Sequence, residues 1–303
     1  MRGDIVGAQR YFRSMSEPDN PQPTRGVSPN AARSVSRELW VFFTLTFAMS
    51  WGLGGLYLLL HAQLDPLLGP MGPHNAVFYV ARPGRRRFRR SWPPLTLGGT
   101  AGCKALLARL VRPFPPVWLA VAALIVPAIA LVLTLSPRLG FPNWPVTPRM
   151  ILVALPAVLF GTAQIVTNTG PLGEELGWRG YALPRLLAKS NAFLAAIVLG
   201  AVWTIWHVPA FFITGIMGQS LAGFGWWSLD TFALSITITW LFLRANGNVI
   251  VAGMIPHFVI NGMGAVGAWL SRPPEAAALA VVAVCLLLAD RHRFFRSPGA
   301  APL

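Results

Sequence analysis

Two adjacent glutamates, Glu174 and Glu175, stand between long apolar runs in the sequence GEELGWRGYALPRL of residues 173–186. A charge inside a bilayer costs about 2.5–3.5 kcal/mol on insertion scales, so charged residues kept there usually face a polar cavity and serve a function. The stretch Gly-Pro-Leu-Gly at 170–173 interrupts the preceding run, and proline suits the first turn of a helix. The pattern predicts a new helix with both carboxylates near its positive end, and capping of that helix is the simpler interpretation of the pair.

The spacing within this helix predicts different roles for the two glutamates. Glu175 and Arg179 are four residues apart, which allows an ion pair on one helix face. Glu174 points about 100° away, because an α-helix has 3.6 residues per turn. We therefore expect Glu175 and Arg179 to be a supporting, neutralised pair, and Glu174 to be the carboxylate that takes a proton.

Two histidines, His207 in WTIWHVP and His257 in MIPHFVING, lie within apolar runs. A single buried histidine is more often a satisfied core residue, but two of them together with a carboxylate pair favour a site. Asn261 follows His257 by four residues, so both side chains share one helix face. The neighbouring Gly262 and Gly264 allow another helix to approach that face.

Together these residues are the set that a hydrolase needs. Glu174 with His207 would hold and deprotonate a water molecule. His257 with Asn261 would donate hydrogen bonds to the oxyanion of a tetrahedral intermediate. No covalent nucleophile is indicated, because the sequence has no GxSxG element and neither cysteine is near a histidine.

Zinc is the alternative to metal-free activation of water. Glu174, His207 and His257 would be its ligands, with water in the fourth position. The helical signature HExxH is absent from the sequence. We therefore favour a site without a cofactor and keep zinc as the alternative.

The composition places these residues in a membrane protein. Of the 303 residues, 54% are hydrophobic and 12% are charged, and the mean hydropathy is +0.54. Soluble domains have about 25% charged residues. Apolar runs of about 20 residues predict transmembrane helices at 39–62, 117–135, 150–169, 191–214, 226–243, 248–269 and 274–289. The predicted fold class is all-α: a polytopic bundle of about eight helices with an intramembrane catalytic cavity.

The basic residues predict the orientation of this bundle. Both terminal segments are rich in arginine, which the positive-inside rule assigns to the cytoplasm. Seven spans cannot place both ends on one side, so we predict an eighth at 66–82, a short, proline-containing run that crosses only if it packs inside the bundle. Eight spans also place the nine basic residues of 82–112 in the cytoplasm.

The stretch 73–97 is open to three interpretations: the end of that span, a loop, or a local reading-frame slip. The sequence changes near Pro73 from apolar to Arg- and Pro-rich, and it becomes apolar again near Gly98. Independent sequencing of the gene tests the third interpretation.

The chain divides into a polar, disordered cytoplasmic segment 1–38, the bundle 39–290 and a basic cytoplasmic tail 291–303. The first apolar run begins too far from Met1 for a cleavable signal, so we expect the first span to be retained. The net charge of +15 concentrates beside the spans, so the bilayer lipid, and not nucleic acid, is the predicted partner. We expect a multi-pass protein of the plasma membrane.

Three motifs occur in the order and spacing of a known family. They are Glu174-Glu175-Leu-Gly-Trp-Arg179 for EExxxR, Trp203-Thr-Ile-Trp-His207 for FxxxH and His257-Phe-Val-Ile-Asn261 for HxxxN. Over about residues 100–270 the chain thus resembles the CPBP family of intramembrane proteases, which includes type II CAAX prenyl proteases and Abi-like bacteriocin-processing or bacteriocin-immunity proteins. Trp203 departs from the family pattern, because it stands at the phenylalanine of the second motif.

The resemblance implies an eight-helix endopeptidase acting on a membrane-anchored, prenylated or apolar peptide or lipopeptide. It implies that Glu174 and His207 activate water and that His257 and Asn261 form the oxyanion hole. The dependence on zinc stays open, because the family has been described both as metalloproteases and as glutamate-dependent proteases.

Two other classes of function stay open on the sequence alone. A proton-coupled transporter would use Glu174, His207 and His257 as a proton relay, although the two halves of the chain show no internal symmetry. A non-catalytic bacteriocin-immunity protein would hold a peptide in the same cavity. Its function would survive Glu174→Ala.

Asp230 and many of the twelve tryptophans are interpreted without a role in catalysis. Asp230 is near the start of a span with no evident partner in sequence, and an interfacial position explains it. Six tryptophans in or near the predicted spans are interpreted as interface anchors or packing residues. They are Trp178, Trp203, Trp206, Trp226, Trp227 and Trp240.

Overall fold

The computed structural model describes residues 29–68, 99–133, 169–211, 220–265 and 269–297, together with the isolated positions 149, 152 and 217. These residues are helical apart from short turns, and no β-strand occurs among them. The all-α prediction is therefore confirmed for this part of the chain.

The α-helices are numbered in chain order over the described residues. They are α1 (Pro29–Leu68), α2 (Gly99–Ala108), α3 (Val117–Leu133), α4 (Thr169–Glu175), α5 (Leu183–Leu187), α6 (Ala192–Trp206), α7 (Leu221–Arg244), α8 (Ile255–Ala265), α9 (Pro273–Ala289) and α10 (Arg291–Phe294). A first π-helical segment, Leu176–Ala182, joins α4 to α5, and a second, Ile250–Met254, leads into α8. A 3₁₀ turn, Val208–Phe211, follows α6.

Both π-helical segments end next to a proline. The N–H of Leu183 bonds the carbonyl of Trp178, and the N–H of Ile255 bonds the carbonyl of Ile250, so each spans five residues. Pro184 and Pro256 come directly afterwards. Proline has no N–H, and in an α-helix its ring crowds the carbonyl four residues earlier. A wider turn relieves that crowding, and such π-turns recur at functional sites.

The core of the described residues is built around α7. This helix packs along α6 on one side and α9 on the other, and α3 packs against α8 and α9. Gly200 permits the contact of α6 with α7, because a Cβ atom there would lie 3.0 Å from Cδ1 of Phe232. The buried hydroxyl of Ser235 on α7 donates to the carbonyl of Ala196 on α6 at 2.9 Å, which satisfies a polar group inside an apolar interface.

Two helices among the described residues are long and apolar enough to cross a bilayer, Arg33–Leu67 and Leu221–Arg244. Shorter apolar helices correspond to four more predicted spans: Val117–Leu133, Ala192–Trp206, Ile250–Gly264 and Pro273–Ala289. The predicted spans 66–82 and 150–169 lie almost wholly outside the described residues, as does the stretch 73–97. The eight-span bundle therefore stays a prediction.

The bounds of two elements differ from the predicted ones. Helix α1 begins at Pro29 and so includes the last part of the segment 1–38. The predicted span 191–214 is too long, since α6 ends at Trp206 and a 3₁₀ turn follows. Pro209 explains this end, because proline cannot donate the hydrogen bond that would continue the α-helix.

Candidate active site

Glu175 is the centre of a buried ionic cluster. Its Oε1 accepts a hydrogen bond from Nη1 of Arg179 at 2.8 Å and another from Nδ1 of His257 at 2.9 Å. The side chains of Glu175 and Arg179 are fully buried. Breaking such a pair would leave an uncompensated charge in the interior, which is strongly destabilising. The ion pair expected from the four-residue spacing is present, and the contact with His257 adds a partner that the sequence did not predict.

Gly253, in the second π-helical segment, provides the room for the Glu175 carboxylate. A Cβ atom at position 253 would overlap Oε2 of Glu175 and would lie 3.0 Å from its Cδ. Oε1 of the carboxylate therefore faces its two hydrogen-bond donors, and Oε2 lies against the backbone of Gly253, which has no side chain. Both π-helical segments therefore contact the carboxylate of Glu175. The first contributes Arg179 and the second contributes Gly253.

Glu174 has different surroundings from its neighbour. It is half-buried, and its Oε2 accepts a hydrogen bond from the indole Nε1 of Trp203 at 2.9 Å. Trp203 is on α6 and is 4% exposed. The guanidinium carbon of Arg179 lies 4.4 Å from the centroid of the Trp203 ring. The ring of His257 lies 5.2 Å from that centroid, edge to face.

His207 is held at the C-terminal end of α6. Its Nδ1 lies 2.9 Å from the carbonyl oxygen of Trp203. Because a carbonyl only accepts hydrogen bonds, Nδ1 carries the proton and Nε2 of the neutral ring keeps its lone pair. The rings of Trp206 and Trp227 pack on the imidazole at centroid distances of 4.7 and 5.0 Å. His207 is therefore oriented with one nitrogen left to act as a base.

Trp203 joins the two residues of the predicted water-activating pair, because its indole N–H donates to Glu174 and its carbonyl oxygen faces Nδ1 of His207. That Glu174 and His207 hold one water molecule stays a prediction.

His257 and Asn261 share one face of α8, as the spacing predicts. They differ in accessibility, because His257 is 5% exposed and the Asn261 side chain is exposed. Nδ1 of His257 faces the Glu175 carboxylate, which only accepts, so this nitrogen carries a proton. Their role as an oxyanion hole stays a prediction.

The two glutamates lie beyond the first turn of their helix. Helix α4 begins at Thr169, and Glu174 and Glu175 are its last two residues. Its first turn contains no acidic residue. Capping of a positive helix end therefore does not explain the pair. The chain continues from Glu175 into the first π-helical segment, so Gly173 does not end the element either.

The zinc alternative stays a prediction. Across the ranges that the structure describes, no group of three or more His, Cys, Asp and Glu side chains is placed to hold a metal ion. The indole of Trp203 lies among the three predicted ligands: it bonds Glu174, and its ring borders His207 at 6.1 Å and His257 at 5.2 Å.

Several tryptophans contact the residues of the site, by hydrogen bonding as well as by packing. Trp203 bonds Glu174, and Trp206 and Trp227 pack on His207. Trp206 also donates from Nε1 to Oγ of Ser50 on α1 at 2.7 Å, which ties the first long helix to the site. The departure at position 203 from the phenylalanine of the second motif was the signal in the sequence, since the exchange adds a hydrogen-bond donor.

Asp230 is a buried residue with hydrogen-bond partners. It is 4% exposed, and its Oδ2 accepts hydrogen bonds from Nε1 of Trp269 at 3.1 Å and from Oγ of Ser271 at 2.8 Å. The N–H of Trp269 in turn bonds the carbonyl of Met263 near the end of α8. Asp230 therefore anchors the connection that follows the helix carrying His257 and Asn261. Its partners are about 40 residues away in sequence, which is why no partner was evident.

In the part of the chain that the structure describes, apolar helices enclose a cluster of carboxylate, imidazole and guanidinium groups, which defines an all-helical protein with a polar site in its core. Comparison of the sequence with known proteins shows which family it resembles. Residues 162–263 match the family model for the type II CAAX prenyl endopeptidase Rce1-like proteins. CAAX prenyl protease 2 of Methanococcus maripaludis is 34% identical over 137 residues, which are 42% of this chain and 49% of that protein. The matched residues 162–263 include all three motifs, and the chain spans about half the length of this curated relative.

Proposed function

We propose that this protein is an intramembrane endopeptidase that cleaves a peptide bond in a membrane-anchored, prenylated or apolar peptide. The observation that carries the proposal is the contrast at the glutamate pair. Glu174 is half-buried and is linked to His207 through Trp203, whereas Glu175 is fully buried with Arg179 and His257. The carboxylate of Glu174 is thus available for proton transfer, and the carboxylate of Glu175 stabilises the site. The match of residues 162–263 to the Rce1-like family supports the same reaction class.

In the proposed reaction, Glu174 and Nε2 of His207 bind a water molecule and remove its proton as its oxygen attacks the scissile carbonyl carbon. The C–O bond forms, the carbonyl electrons move to oxygen, and a tetrahedral oxyanion results. Collapse of this intermediate breaks the C–N bond. The proton taken from water passes to the leaving amine, so protons balance.

The oxyanion would be stabilised by Asn261 and by His257. Because Nδ1 of His257 already donates to Glu175, the ring donates from Nε2 only when both nitrogens carry protons. Glu175 compensates that added charge. With His257 protonated, the charges of Glu174, Glu175, Arg179 and His257 sum to zero, which suits a site of low dielectric.

The direct test uses full-length protein in detergent with a library of quenched fluorescent lipopeptides. We expect cleavage by the parent, and a loss of about 10²–10⁴-fold in Glu174→Gln and in His207→Ala, the usual range for a lost general base. Glu38→Gln is the matched control, since Glu38 pairs with Arg185 at 2.8 Å and belongs to none of the three motifs. It should retain parental activity, and a strong chelator should leave the parent active.

Cleavage that survives in Glu174→Gln would contradict the assigned role of Glu174. A folded parent that cleaves no peptide would contradict the proposed activity and would favour the transporter or the immunity protein.

We further propose that the chain crosses the plasma membrane eight times with both ends in the cytoplasm. Cys103 on α2 lies within the basic segment 82–112, and it is free and exposed. In a Cys285→Ala variant, a membrane-impermeant maleimide should label Cys103 in inside-out vesicles and not in right-side-out vesicles. Labelling from the outer face would contradict the eight-span topology.

A further inference from the structure

Trp203 contacts residues from all three motif segments. Its carbonyl oxygen faces Nδ1 of His207, and its indole N–H donates to Oε2 of Glu174, both at 2.9 Å. The face of its ring carries the guanidinium of Arg179 at 4.4 Å, and the ring also meets His257. Few positions in the described residues combine so many contacts with the polar groups of the site.

The indole N–H is the one part of these contacts that a phenylalanine cannot supply. Packing on His257 and stacking under Arg179 require only an aromatic ring. The contact with His207 uses the backbone, which every residue has. The hydrogen bond to Glu174 requires a donor, and the indole nitrogen is a donor only. A phenylalanine at position 203 would therefore leave Oε2 of Glu174 without this donor.

We propose that Trp203 is a positioning residue for Glu174. The indole N–H holds Oε2, which fixes the rotation of the carboxylate and leaves Oε1 to bind and deprotonate the attacking water. This inference rests on the proposed function, because it assigns Glu174 the role of general base. A charge-assisted hydrogen bond has a defined direction as well as strength, so it can hold a flexible glutamate side chain in one orientation.

The first experiment detects the hydrogen bond without using activity. Full-length protein labelled with ¹⁵N-tryptophan gives one indole N–H signal per tryptophan, and the signal that disappears in Trp203→Phe belongs to Trp203. Exchange of the acceptor from carboxylate to amide changes a hydrogen-bonded indole proton strongly. We therefore expect Glu174→Gln to shift the Trp203 signal and Glu38→Gln to leave it in place. A Trp203 signal that does not respond to Glu174→Gln overturns the proposal.

The second experiment separates positioning from a general loss of stability. Trp240→Phe is the matched control, because the indole of Trp240 also donates to a buried carboxylate, Oδ2 of Asp290, at 3.1 Å and outside the three motifs. Both variants lose one hydrogen bond of the same kind, so their melting temperatures should fall by similar amounts. Only Trp203→Phe should lower kcat.

We expect kcat of Trp203→Phe to fall about 10-fold to 100-fold, the factor that corresponds to a hydrogen bond to a charged group. KM should stay near the parental value, because Trp203 is buried and acts through Glu174. Equal kcat values in Trp203→Phe and Trp240→Phe overturn the positioning role. If the parent cleaves no peptide, the proposed function fails, and the catalytic part of this inference fails with it; the indole signal still reports whether Trp203 bonds Glu174.

Discussion

Glu174 and Glu175 are neighbours in the chain, but their surroundings differ in every respect that matters for chemistry. Glu175 is fully buried, accepts hydrogen bonds from Arg179 and His257, and lies against Gly253. Glu174 is half-buried and accepts a hydrogen bond from Trp203. The comparison teaches that two identical side chains can have different roles, one stabilising the site and the other available for proton transfer. The elements packed around each glutamate determine which role it has.

The largest effect should come from Glu175→Gln. The substitution keeps the volume of the side chain but leaves Arg179 buried without its counter-charge, which typically costs about 3–5 kcal/mol. Denaturant unfolding in mixed micelles measures this loss. Glu174→Gln is the internal control and should change the free energy of unfolding by less than about 1 kcal/mol, since an amide oxygen still accepts from Trp203. Equal losses in both variants would remove the distinction between the two glutamates.

Asn261→Ala should lower the rate of catalysis and leave the stability of the protein nearly unchanged. Asn261 is exposed on α8, so its truncation should change stability by no more than about 0.5 kcal/mol. Loss of one oxyanion-hole donor lowers kcat by about 10²–10³-fold. Steady-state cleavage of the best lipopeptide, read beside the unfolding curve, measures both quantities. An unchanged kcat would exclude Asn261 from the stabilisation of the oxyanion.

Gly253→Ala, in the second π-helical segment, should disturb the buried carboxylate of Glu175. The added methyl group would overlap Oε2 of Glu175, so either the carboxylate or the π-helical backbone must move. Overpacking of this kind costs about 1–3 kcal/mol. Gly225→Ala on α7 is the control, because a Cβ atom there meets no other atom within 4 Å. Thermal unfolding should show a loss only at position 253, and parental stability of Gly253→Ala would mean that the contact relaxes without cost.

The smallest effect should come from Glu38→Gln. This glutamate pairs with Arg185, but its side chain is 34% exposed, so solvent weakens the ion pair. Exposed pairs contribute about 0.2–1 kcal/mol. The difference between Glu38→Gln and Glu175→Gln in one unfolding assay therefore measures how much burial adds to a carboxylate–guanidinium pair in this protein. A loss at Glu38 as large as that at Glu175 would show that burial is not what distinguishes them.

Local spacing predicted the parts of the site that depend on one helix. The pair of Glu175 with Arg179 and the shared face of His257 and Asn261 both follow from the separation of four residues. Apolar runs predicted the other core helices within a few residues, but α1 begins ten residues before the predicted span and α6 ends early at Pro209.

The remaining contacts could not be predicted, because they join distant parts of the chain. His257 meets Glu175 across 82 residues, and Trp203 meets Glu174 across 29. Amphipathic periodicity carries no information on which polar groups meet across a bundle. The π-helical segments could not be predicted for another reason: a proline such as Pro184 or Pro256 indicates a kink or a helix end as readily as a wider turn.

The two π-helical segments have a consequence for how this chain tolerates insertions and deletions. A π-turn holds one more residue than the α-turn it replaces. Deleting a single residue from such a turn would restore α-helical winding, and the residues that follow would keep their orientation. The same deletion inside α7 would instead rotate all that follows by about 100°. Arg185 and His257 should therefore stay on their helix faces after a deletion in Leu176–Ala182 or Ile250–Met254 that spares the motif residues. Length variants in these two short stretches should be accepted more readily than length variants inside α7.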